Sequence, residues 1–116
     1  MIRSTGILAA LLLAASSASA VPASTAGDYP TAAVADYVFG CMQANGQTRD
    51  ALERCSCSID VVASILPYED YERAETFRSM AQMLGERSAL FRETPPARAA
   101  GAALRRAQAE ADIRCF

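Results

Sequence analysis

The chain has 116 residues, 52% of them hydrophobic, with a formal charge of −2 and no histidine, lysine or tryptophan. A chain this short makes one domain, and its mildly acidic balance excludes the basic footprint that binds nucleic acid by neutralising phosphates. The lack of histidine removes the commonest general base and metal ligand.

Residues 1–20 carry Arg3, an apolar run over 6–15 and Ala18-Ser19-Ala20 ahead of an expected cut, which is the pattern of a secretory signal. Removing 20 of the 116 residues leaves 96, and the loss of Arg3 takes the charge from −2 to −3. The apolar run is shorter than the roughly 20 residues a span requires, so no membrane insertion is expected after cleavage near Ala20. The first cysteine, Cys41, lies too far from the cut for a lipid anchor. Arginine as the sole basic residue, with abundant alanine, reads as the usage of a GC-rich bacterial genome, which makes the periplasm or the exterior the expected location. Residues 21–29 are small and polar without a period and are expected to form a flexible leader; 30–116 is a single helical domain.

Pro30 suits a first helical turn, and Val34, Tyr37, Val38 and Cys41 then share one face of a helix that stops at Asn45-Gly46. Phe39 lies off that face; another helix or the leader is expected to cover it. Thr48 is a suitable N-cap for the next helix, 49–66, with Asp50 and Glu53 at its positive end and Pro67 closing it. Leu52, Cys55, Ile59, Val62 and Leu66 form one apolar stripe, and Cys57, Val61 and Ile65 a second on the opposite side. A helix apolar on both sides is covered on both sides, so this one is central.

A third helix over 68–84 opens with acids and places Ala74, Phe77, Met80, Ala81 and Leu84 together, with Gly85 as a stop. A short turn over 86–92 is expected to bring Leu90 and Phe91 inward before Thr94-Pro95-Pro96 caps the last helix. There Ala97, Ala100, Leu104, Ala107, Ala111 and Cys115 share a face of small residues that allows close approach. Pairs such as Glu69 with Arg73 and Glu110 with Arg114 belong to a solvated surface. No alternating strand pattern competes, and the fold class is all-α: a small disulfide-stapled bundle of four to five helices.

Four cysteines, Cys41, Cys55, Cys57 and Cys115, in a short exported chain form the arithmetic of two disulfides. In a helix Cys55 and Cys57 point about 160° apart, so each addresses a different neighbour. In a hairpin turning near Gly46, Cys41 comes level with Leu52; Cys55 is then roughly 4 to 5 Å out of level and Cys57 roughly 7 to 8 Å. The preferred pairing is Cys41 with Cys55 and Cys57 with Cys115. The alternative is a soft-metal site for copper or zinc on the same four thiolates. Cys-x-Cys spacing and the absence of histidine do not suit a tetrahedral site, and no Cys-x-x-Cys opens a helix after a strand as redox chemistry would require.

No phosphate loop, nucleophile elbow or metalloprotease helix is present, and acids such as Glu69 and Glu72 are ordinary helix starts. The combination of export, small size, helices and cystines resembles the small acid-stress chaperones of the bacterial periplasm. Paired cysteines on helices are similar to those of mitochondrial copper carriers, which use Cys-x9-Cys where this chain has thirteen residues between Cys41 and Cys55, then one. The expected function is a non-enzymatic, cofactor-free binding or accessory protein, with a periplasmic or secreted protein as partner. The expected contacts are Phe39, Tyr71, Met83 and Phe116.

Overall fold

The computed structural model describes residues 26–83 and 85–116. The expected signal, residues 21–25 of the expected leader, and Leu84 lie outside them. Among the described residues there are five α-helices and no strand: α1 (Thr31–Asn45), α2 (Arg49–Ile65), α3 (Tyr68–Met83), α4 (Ala89–Arg92) and α5 (Pro95–Cys115). No helix among them is long and apolar enough to cross a membrane.

Local chemistry sets the boundaries. Gly46 ends α1 at φ +105°, where a side chain would be strained. Thr48 caps α2, its hydroxyl accepting from the Ala51 amide at 3.1 Å. Leu66 turns extended before Pro67, as the residue preceding a proline must. Pro95 and Pro96 occupy the first turn of α5, where no amide donor is missed. Thr94 precedes them without the expected side-chain cap, its hydroxyl donating instead to the Leu90 carbonyl at 3.0 Å.

The packing order differs from the chain order. α2 lies between α1 and α5, and α5 lies between α2 and α3, with α4 against α3. The two cystines follow the same order. Cys41–Cys55 joins α1 to α2 and Cys57–Cys115 joins α2 to α5, both with Cα atoms 5.8 Å apart. The half-turn between Cys55 and Cys57 therefore makes α2 the covalent hub, and the expected pairing is the one present.

The core combines Cys55, Ile59 and Val62 of α2, and Leu66 just past its end, with Leu104, Ala107 and Ala111 of α5. Alanines on α5 allow close approach to α2, and the small residues Ala51, Ser58 and Ala63 of α2 are buried alongside the stripe. Leu52, expected within that stripe, is partly exposed. On the second side, Cys57 and Val61 are half-buried and Ile65 is exposed.

Three further expectations are corrected. Tyr29, placed in the flexible leader, is buried, because its ring packs on Tyr68 and Tyr71 at 5.1 Å and its hydroxyl donates to the Leu66 carbonyl at 2.8 Å. A turn of 3-10 helix over Ala26–Asp28 leads into it. Leu90 is 62% exposed, because α4 is a single turn and only Phe91 reaches inward, its ring centroid 6.4 Å from that of Phe77. Arg73 pairs with Asp70 at 2.9 Å rather than with Glu69, while Glu110 and Arg114 pair at 2.7 Å as expected.

Candidate functional site

α1 and α5 both lie on α2, and α1 meets α3 through the rings of Tyr37 and Tyr71. The space between them is a groove of about 740 Å³ running over the Ser58 position of α2. Its size suits a small ligand or a few side chains of a partner.

The floor is aromatic and hydroxylic. All four tyrosines of the chain, Tyr29, Tyr37, Tyr68 and Tyr71, join in one cluster with ring centroids 5.1 to 6.5 Å apart. Tyr37 and Tyr71 present that cluster to the groove, and the Tyr37 hydroxyl shares a 2.7 Å hydrogen bond with Ser58 Oγ. Burial holds all three of Tyr29, Tyr37 and Tyr71 protonated to higher pH than usual, Tyr29 up to about 12. The Glu75 carboxylate adds to the rise at Tyr71, and Asp112 and Glu75 at Tyr37.

The rim is acidic and apolar. Asp36 from α1 and Asp112 from α5 flank the groove and neither enters a salt bridge among the described residues. Arg78, the one cation lining it among the described residues, is bound to Glu75 at 2.5 Å. Phe39, 64% exposed, stands on one side, so the expected covering of this ring is not found among the described residues. Phe116, 48% exposed, stands near the other end, with the Arg54 guanidinium 5.9 Å from its ring and donating to its carbonyl at 3.4 Å.

Three of the four expected contact residues, Phe39, Tyr71 and Phe116, thus line one groove. Met83 does not; it is 77% exposed at the far end of α3. Tyr71 is corrected from a surface contact to a floor residue: it is 6% exposed, since Tyr29 and Tyr37 close over it. Asp36 and Asp112 went unnoticed in the sequence. Asp36 is the lone acid of α1 and Asp112 follows Glu110 on α5, and only the docking of α1 and α5 on α2 makes them neighbours of one space.

Both cysteine pairs are oxidised, so their sulfurs offer no thiolate for the alternative metal site at Cys41, Cys55, Cys57 and Cys115. No cluster of three or more metal-ligating side chains occurs among the described residues. Comparison of the chain with protein-family models, with curated proteins and with solved structures gives no match.

Proposed function

We propose that the protein is an exported, non-enzymatic binding module whose groove takes a segment of another protein bearing a cationic side chain between apolar ones. The carrying observation is the coincidence of exposed aromatic surface at Phe39 and Phe116 with the carboxylates of Asp36 and Asp112, which enter no salt bridge among the described residues, around one concavity. Aromatic anchors supply most of the energy of such contacts, and complementary charge selects and orients the partner. Two disulfides fit an oxidising compartment, and together with the signal pattern of residues 1–20 they support a periplasmic or secreted location.

The test is calorimetric titration of the oxidised protein with a peptide alternating leucine and arginine, and with its glutamate counterpart. Binding of the first alone, weakened at least tenfold by Phe39→Ala and by Asp112→Asn, is expected. Equal binding of both peptides, or indifference to both substitutions, would sink the reading.

A further inference from the structure

The arginines divide into two populations. Arg49, Arg54, Arg73, Arg78 and Arg114 each pair with a carboxylate one turn away. The stretch 85–106 holds five more, Arg87, Arg92, Arg98, Arg105 and Arg106, against only two glutamates, and none of the five enters an ion pair among the described residues. Three of them, Arg92, Arg98 and Arg105, border a second groove of about 550 Å³ between α3, α4 and α5.

The interior of this groove has the opposite character to its border. Ala74, Ala97 and Leu104 form a buried apolar floor, and the rings of Phe77 and Phe91 make an apolar wall. Gly101 keeps the space low on the α5 side: a Cβ there would stand 3.1 Å from Arg105 Nη1, so the Arg105 guanidinium lies folded along its own helix beside the floor.

We propose that this groove is a binding site for a long-chain carboxylate, its head on Arg98 and Arg105 with Arg92 beside them, and its alkyl chain along the alanine and phenylalanine floor. The guanidinium fork matches a carboxylate in two parallel hydrogen bonds. The floor favours an alkyl chain over an acidic peptide. The helices that form it spend their backbone hydrogen bonds internally, and Ala74, Ala97, Leu104, Phe77 and Phe91 offer it only hydrocarbon, the amides of Gln82 and Gln108 being the other polar groups of the groove besides the arginines. A peptide laid there would bury its own amides unpaired, a cost a methylene chain does not incur. This site shares only Arg78 and Gln108 with the acidic groove and is independent of the function proposed for that groove.

The experiment is titration of the oxidised protein with dodecanoate below its micellar concentration, followed by calorimetry, with dodecylamine, polyglutamate and phosphatidylglycerol vesicles as comparators. One saturable site for dodecanoate is expected, weakening about two- to fourfold for each methylene removed from the probe. The exposed double variant Arg98→Gln/Arg105→Gln should weaken binding at least tenfold while keeping the helical circular dichroism of the parent. Phe39→Ala and Asp112→Asn should leave dodecanoate binding unchanged. Unsaturable uptake, equal affinity for dodecylamine, wild-type affinity in the double variant, or binding of polyglutamate or vesicles in place of dodecanoate would each overturn the proposal.

Discussion

Tyr37 and Ser58 meet through a 2.7 Å hydrogen bond that joins α1 to α2 beneath the acidic groove. Ser58 is 2% exposed, so the bond is made where water does not compete freely. A double-mutant cycle of Tyr37→Phe and Ser58→Ala should yield a coupling of about 1 kcal/mol in denaturant unfolding. Both single variants lose the same bond, so the double should cost less than their sum; strict additivity would mean that the two hydroxyls are held by other partners.

Tyr29 anchors the entry of the chain to the end of α2 through the Leu66 carbonyl. Replacement by phenylalanine keeps the ring contacts but leaves that carbonyl without its donor, at a cost of about 1 to 2 kcal/mol. The midpoint of urea unfolding reports it, and an unchanged midpoint would show the bond to be replaceable by water.

The buried tyrosines make the fold sensitive to alkali. Burial favours the neutral phenol and raises the folded pKa of Tyr29 to about 12 from the ordinary 10.0. Such a group stabilises the fold fully below the unfolded value, and the contribution is lost as the pH climbs through the folded one. The contribution of Tyr29 should therefore be constant below pH 10.0 and fall between there and about 12. Tyrosinate absorbance and circular dichroism, followed together, should change in step; ionisation of Tyr29 without loss of helix would contradict this.

The cystines close loops of sequence separation 14 and 58. On the loop-entropy model they contribute about 3 and about 4 kcal/mol, sums comparable with the whole stability of a small domain. Paired serine replacement of Cys57 and Cys115 should thus lower stability more than that of Cys41 and Cys55, and full reduction should abolish cooperative melting. The order of the two melting temperatures is the check.

Ala107 and Ala111 of α5 are completely buried. Ala107→Leu adds volume at a completely buried position and should cost about 1 to 3 kcal/mol by overpacking. A neutral or stabilising effect on the thermal midpoint would reveal slack between the helices.

Much of this architecture was legible in the sequence because it follows from helical periodicity and rise. The α2 stripe, the α5 alanine face and the stop at Gly46 are local patterns, and the cystine pairing follows from level and direction on known helices. What was not legible depends on how closely elements approach. Ser58 and Ala63 read as polar or indifferent, yet the helices packed around α2 bury them, Ser58 beneath Tyr37 of α1. Leu52 reads as core and lies partly exposed near the start of α2. Tyr29 precedes the first α-helix, so no period announces its burial; a lone large aromatic beside Pro30 was the available signal. The groove belongs to no segment. Asp36, Tyr71 and Asp112 come from three helices, and their association is a product of packing order rather than spacing.

The placement of the two cystines also governs how the folded chain would bear tension. A pull between Tyr29 and Phe116 enters along α1, crosses to α2 at Cys41–Cys55, and leaves at Cys57–Cys115 after only one intervening residue of α2. Residues 42–54 and 58–114, spanned by separations of 14 and 58, hang off this path as slack that carries no load. The oxidised molecule is therefore almost inextensible beyond the unravelling of α1, and reduction would turn the same chain into one that pays out nearly its entire length.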